Sequence, residues 1–173
     1  MTTITRSVCA VFLYLLSTEI AAAQANARCS SVSSTITTQT VRCDGGITII
    51  AENGARYTLS DTNRDGRIDS VELGGKALLL DVPGMPRDKK FKVTTPQAIA
   101  AVRGTKWAVD VTEDKTSVFV VNGRVLVGRR LSAGKRNVVL RDGEGVDVEA
   151  TGPLTVKRWA PARVAALMAR LGQ

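Results

Sequence analysis

One stretch of the chain combines residue types and spacing that could bind a metal. It is Asp61-Thr62-Asn63-Arg64-Asp65-Gly66-Arg67-Ile68-Asp69-Ser70-Val71-Glu72, and its chemistry is oxygen ligation of a hard cation. Asp61, Asn63 and Asp65 stand at positions 1, 3 and 5 of a twelve-residue calcium loop, and Gly66 allows the sharp turn at position 6. Arg67 offers its backbone carbonyl at position 7, Asp69 lies at 9, and Glu72 can close the sphere as a bidentate ligand at 12. Ca2+ needs six or more oxygens, which this set supplies. The flanks are not those of a helix-loop-helix. Tyr57 and Leu59 alternate with polar residues before the loop, and Gly74-Gly75 interrupts any helix after it. The segment therefore reads as strand-loop-strand, with an expected affinity near the roughly 10⁻⁴–10⁻³ M of extracellular modules. Arg64 and Arg67 dilute its negative field, and Asp, Asn and Gly also make tight turns without any metal. Both readings fit the letters.

Little other chemistry is on offer. The chain of 173 residues has no histidine, which removes imidazole acid–base catalysis, Ser-His and Cys-His pairs, and histidine-ligated zinc. Its three cysteines cannot make a four-cysteine zinc site. Glu113-Asp114, and Glu144 with Asp147, are carboxylate pairs in or beside predicted turns, where solvated charge is the expected role. Gly143-Glu144-Gly145 is too short and too acidic to cradle phosphate. The expectation is a protein that is not an enzyme.

The first 25 residues read as a cleaved secretory signal. Arg6 precedes a nine-residue apolar run from Val8 to Leu16, and Ala21-Ala22-Ala23-Gln24-Ala25 supplies the cleavage site. That run is far shorter than the roughly 20 residues of a spanning helix, so a periplasmic or secreted chain with no transmembrane segment is expected. Cys9 leaves with the leader. Cys29 and Cys43 then form an even pair in an oxidising compartment, most simply a disulfide closing a 15-residue loop. Charge is uneven: residues 26–74 carry a net −1 and residues 75–173 a net +9. Such a field suits acidic partners or an anionic envelope surface. Nucleic acid is not expected, because the five aromatics beyond the leader do not interleave with basic runs.

Beyond residue 45 the pattern is β. Gly46 to Ile50 runs into Asn53-Gly54 and then Arg56 to Leu59, the signature of a hairpin with a type I′ turn. Lys76–Val82, Phe91–Thr94, Lys106–Val111, Thr116–Val121, Arg124–Val127, Val138–Leu140, Val146–Val148 and Leu154–Val156 read as further short strands. Val118 to Val121 is apolar on both faces, which predicts a fully buried strand. Strands this short between glycine turns predict an all-β sandwich, barrel or solenoid. Pro161 then opens an amphipathic helix with Val164, Leu167, Met168 and Leu171 on one stripe, expected to cap the open end of the sheet.

Thr95-Pro96 followed by Val102-Arg103-Gly104-Thr105-Lys106-Trp107-Ala108-Val109 resembles the core signature of the FecR domain family. Val118, Val120, Gly123, Val125 and Val127 are similar to that family's next hairpin, and Gly143-Glu144-Gly145-Val146 to the strand start after it. The resemblance covers about 76–158, with Arg103, Gly104, Thr105 and Trp107 as its most specific block. Gly104 lets the backbone turn tightly, Arg103 has a planar fork suited to carbonyls or a carboxylate, and Trp107 heads a buried strand. The resemblance implies a β-solenoid or sandwich-like FecR domain, non-catalytic and periplasmic, that works through protein contacts with a receptor or regulator in envelope signalling. Only seven residues precede the apolar run of the leader, so it implies a free-standing domain rather than a membrane-spanning regulator. The expected layout is a signal at 1–25, an N-terminal β segment with disulfide and calcium-type loop at 26–75, a FecR-like core at 76–158 and a helix at 159–173. A calcium-stabilised structural or wall-associated domain that holds anionic polymer on its basic face is the alternative function.

Overall fold

Alternating apolar and polar residues, each stretch stopped by glycine or an Asx turn, give short strands that bury one face. The computed structural model describes residues 29–131 and 137–173, so the expected leader lies outside the described residues. In chain order the strands are β1 Cys29–Ser34, β2 Thr38–Cys43, β3 Ile47–Glu52, β4 Arg56–Ser60, β5 Ser70–Val82, β6 Phe91–Thr94 and β7 Ala98–Val102. They continue with β8 Thr105–Val111, β9 Lys115–Asn122, β10 Val125–Arg129, β11 Val138–Leu140, β12 Glu144–Glu149 and β13 Lys157–Arg158, before α1 Pro161–Arg170. No helix among the described residues is long and apolar enough to cross a membrane.

The strands form one curled sheet that folds over itself into two layers. A helix-side layer runs β1-β2-β3-β5-β8-β9-β12-β13, and an open layer runs β4-β5-β6-β7-β10-β11. β5 belongs to both. Its first half pairs with β4 and β6, and its second half with β3 and β8. It turns the corner at Gly74-Gly75-Lys76, where Lys76 holds φ 64. The sequence showed this strand only from Lys76; its first half was masked by the two glycines. Between the layers Ile49, Val71, Leu73, Leu78, Leu80, Phe91, Trp107, Val109, Val118 and Val125 are buried. Each such side chain stabilises the fold by about 1.5–3 kcal/mol relative to exposure.

The outer face of the helix-side layer is also apolar. Ala77, Leu79, Ala108 and Phe119 point away from the main core and meet Trp159, Leu167 and Leu171. The helix thus covers a sheet face; it does not cap an open end. This second layer explains why β9 is apolar on both sides, although Val121, beyond the reach of the helix, is 38% exposed.

Two expected hairpins are corners instead. Asn53-Gly54 joins β3 to β4, and Asn122-Gly123 joins β9 to β10, but neither pair of strands shares a ladder. Each turn carries the chain from the helix-side layer to the open layer. Leu154 to Val156 forms no strand. Leu154 and Val156 pack against the core without a ladder partner, and Lys157–Arg158 pairs with β12 in their place.

Candidate functional site

The calcium-type loop is the connection between β4 and β5, which pair antiparallel. Its side chains turn inward on their own backbone. Asp61 accepts the amides of Asp65 and Gly66 at 3.2 and 2.7 Å, Asn63 accepts Asp65 at 3.0 Å, and Asp65 accepts Arg67 at 3.0 Å. Asp69 accepts the amide and hydroxyl of Thr62 at 2.9 and 2.7 Å. The second oxygen of Asp65 is paired with Lys89, whose hydrogen bond holds the Asp65 carboxyl below its ordinary value and the lysine above its own. Arg67 is exposed, and Glu72 lies out on β5 with its carboxylate 3.8 Å from Arg130. Asp61, Asn63, Asp65, Arg67 and Asp69 therefore share one loop, while Glu72 sits apart from them on the strand. Among the described residues no three acidic or cysteine side chains form a group that could hold a metal ion. The loop also borders a cleft of about 250 Å³ lined by Asp44, Ile47, Pro83, Met85 and Lys90.

Cys29 and Cys43 are disulfide-bonded directly across the β1–β2 ladder. β1 buries almost nothing, so the bridge and the ladder are what hold this Ser-rich strand.

Arg103, Gly104, Thr105 and Trp107 stand where β7 of the open layer passes into β8 of the helix-side layer. Gly104 adopts φ 70, and a Cβ there would meet the Gly84 backbone at 3.2 Å. Thr105 locks this corner to the Asn122-Gly123 corner: its hydroxyl donates to the Arg124 carbonyl at 3.0 Å. Gly123 holds φ 103, with a would-be Cβ 2.8 Å from the Gly104 carbonyl oxygen. Arg103 donates to the Arg87 carbonyl at 2.6 Å, and Trp107 is fully buried between the layers. These four residues form a junction between two sheet-to-sheet corners, and only the Arg103 side chain reaches the surface.

Arg103 also belongs to a larger arrangement on the uncovered face of the open layer. Lys92, Ala101, Leu126 and Val139 are register partners across β6, β7, β10 and β11, so their side chains share one face as a row. Ala101, Leu126 and Val139, with Ile99 beside them, make it apolar. Leu126 and Val139 are 38% and 50% exposed. Just beyond the strand ends stand Lys90 before β6, Arg103 after β7, Arg124 before β10 and Arg141 after β11. A groove of about 310 Å³ runs between Lys90, Ala101, Arg103, Arg124, Leu126 and Val139. None of Lys90, Lys92, Arg103, Arg124 or Arg141 forms an ion pair among the described residues. The sequence signalled this site only as the +9 of residues 75–173. The cations flank four different strands, and the pairing of those strands brings them near one another.

The carboxylates opposite are on the other side of the molecule, holding α1. Arg170 lies between Glu52 and Asp110, at 2.6 and 2.8 Å. Arg163 pairs with Asp147 at 2.5 Å and stacks 3.5 Å above Trp159, which itself stacks on Phe119. Asp147 and Glu144 thus serve packing and a turn, with Glu144 accepting the Arg141 amide.

Among curated proteins none matches the chain significantly. Two crystal structures of a candidate anti-sigma factor from Parabacteroides distasonis are similar to it. One has a TM-score of 0.59 at 25% identity over 76% of this chain and 60% of that one. The other has a TM-score of 0.62 at 23% identity over 81% and 63%. The chain thus spans about three fifths of the length of those proteins. The FecR protein family model matches residues 33–126, more than half of the chain. The match begins well before the expected residue 76, taking in β2 to β4, and stops within β10. The chain belongs to the FecR protein family.

Proposed function

We propose that the chain is an exported FecR-type binding module that acts through protein contacts in envelope signalling, without catalysis of its own. The observation that carries this reading is the bare face of the open layer, where an apolar row adjoins a row of cations that lack carboxylate partners. Membership of the FecR family and likeness to a candidate anti-sigma factor support a regulatory role. The absence of histidine from the sequence and the turn-bound carboxylates support a non-catalytic one. The leader pattern supports export, and a disulfide suits an oxidising compartment.

The test is cross-linking capture from periplasmic and outer-membrane fractions with the chain tagged at its C-terminus. Recovery of a receptor or a sigma-factor regulator, lost in an Arg103→Glu/Arg124→Glu variant, is the expected result. Recovery of anionic polymer alone, released by salt, overturns it and leaves the second reading, a structural domain that holds such polymer on the same cations. Under either reading the Asp61–Glu72 loop is a calcium site only if Lys89 yields its place on Asp65. A Tm that rises in millimolar Ca2+ and falls with chelator supports that site, and a Tm indifferent to both removes it.

A further inference from the structure

The open layer ends at β11, and that end differs from the other strand edges. β1 is tied down by the disulfide, β13 is two cationic residues, and β4 carries a register irregularity at Arg56. Such features are the ordinary protections of an edge against further pairing. β11 has none of them. It is Val138-Val139-Leu140, without charge, proline or bulge, and among the described residues it pairs with β10 alone.

The two rows on the face arrive at this edge together. The apolar row ends on Val139, and Arg141 follows β11 directly, where it opens the turn to Glu144. Lys90, Arg103 and Arg124 line one groove without an ion pair, and Arg141 follows at the edge, an arrangement that favours an acidic partner.

We infer that β11 receives an extended, acidic segment of a partner protein as one more strand of the open layer. The inference rests on the protein-binding reading above and names the partner's chemistry. The register of β11 sets what the segment carries beside Val138–Leu140, and the cation just past its end sets the charge. On the outer face, one residue lies beside Val139 and is apolar, and the residue two positions on lies beside Arg141 and is Asp or Glu. The intervening residues face inward beside Val138 and Leu140 and are apolar. Main-chain hydrogen bonds supply affinity, and the outer pair supplies selectivity.

The probe is a fluorescein-labelled peptide with Val at every second position and Val then Glu at the positions between, titrated into the purified protein by anisotropy. Controls are the peptide with Lys for Glu, a scrambled peptide of the same composition, oligoglutamate, and two peptides N-methylated on alternate amides, one for each set. Expected are saturable binding, amide shifts in NMR spectra concentrated at Val138–Leu140, and at least tenfold weakening for the Lys peptide, the scrambled peptide and one of the two N-methylated peptides. Arg124→Glu should weaken binding at least tenfold, and Arg124→Ser severalfold. The Arg124 side chain makes no internal contact that folding needs, so both variants should keep the parent Tm. Absence of binding overturns strand addition. So does equal binding of oligoglutamate or scrambled peptide, or a shift pattern centred on β4 or β13. If the peptides fail while a receptor or regulator is still captured, strand addition falls and the protein-binding reading stands. If capture returns only polymer, that reading falls with it.

Discussion

Arg170 places one guanidinium between two carboxylates from different strands, Glu52 of β3 and Asp110 of β8. Its hydrogen bonds to Asp110 and Glu52 raise its own pKa and keep it charged at any working pH. The planar fork matters, because a lysine in its place cannot serve both partners. The arginine is 42% exposed, so each pair contributes only a few tenths to about 1 kcal/mol. Arg170→Ala should therefore lower Tm by about 2–4 °C in calorimetry, for a loss of about 1 kcal/mol, and Arg170→Lys should recover less than half of it. The same pair responds to acid. Burial pushes the Glu52 carboxyl up, but Arg170, the Ala77 amide and Lys76 outweigh it and leave it below the ordinary 4.5. Asp147 behaves alike: burial raises it, and Arg163, Ser117 and Lys115 bring it below 3.8. A carboxyl with a depressed folded pKa stabilises the protein above its ordinary pKa, and that stability is lost as pH falls through the folded value. Stability by urea denaturation should thus hold from pH 7 to 5 and decline below about 4.5, and Glu52→Gln should flatten that decline. A decline of equal slope in Glu52→Gln would show that this carboxyl is not part of it. Gly123 makes a different demand. With φ 103 and backbone oxygen 2.8 Å from any Cβ, Gly123→Ala must strain the junction to Thr105. A loss of about 1–3 kcal/mol is expected, against less than 0.5 kcal/mol for Arg124→Ser at the next residue, an exposed site of the kind that seldom costs more.

α1 is held by apolar contact first and by its arginines second. Leu171 is fully buried just past the last helical turn, and Leu167 is buried beside Trp159 and Phe119. Leu171→Ala should cost about 2–5 kcal/mol, as large-to-small changes in cores do. It should also raise binding of an apolar dye, because it loosens the cover over Ala77, Leu79 and Ala108. A helix that merely capped a sheet end would uncover no such face. The helix itself was legible from Pro161 and the apolar stripe, because both are local signals. Most strands from β3 onward were legible for the same reason, and so were the disulfide partners, but β1, β2, β7 and β13 were not read as strands. What was not legible was which strand each element would pair with. Asn53-Gly54 and Asn122-Gly123 specify a turn with positive φ, and Gly54 and Gly123 do adopt it. Nothing in a turn says whether the next strand pairs beside the last or crosses to another layer. That choice is made by β5, which offers four ladder edges to partners up to dozens of residues away. The cation row was hidden likewise, since it exists only once β6, β7, β10 and β11 are in register. Leu154 and Val156 have strand-like letters, yet the space beside them holds no ladder partner.

The whole molecule is thus three layers sharing one central sheet, and its two tryptophans report on different ones. Trp107 lies between the two sheet layers, and its ring nitrogen is buried without a hydrogen-bond partner. Trp159 lies between the helix-side layer and α1. β5 runs through both sheet layers, so neither can unfold while the other remains, and the inter-sheet core should melt as one unit. The helix layer is attached differently, by one small apolar cluster and by arginine clamps on Glu52, Asp110 and Asp147. Near neutral pH the clamps are intact, and fluorescence from either tryptophan should give the same urea midpoint. Below about pH 4.5 the clamps on Glu52 and Asp147 weaken, whereas no Asp or Glu is buried among the described residues. Trp159 should then respond at lower urea than Trp107, with helical circular dichroism lost alongside it. Single-tryptophan variants make the measurement direct. Trp107→Phe removes an unsatisfied N–H from the core and should cost only about 1–2 kcal/mol for the volume change. Trp159→Phe keeps an aromatic ring against Phe119 but thins the contact under Arg163. Coincident midpoints at pH 4 in both variants would mean that the helix is part of the same cooperative unit as the sheets. Separated midpoints would show that acid releases the cover first, leaving the face of β5, β8 and β9 bare on a sandwich that is still folded.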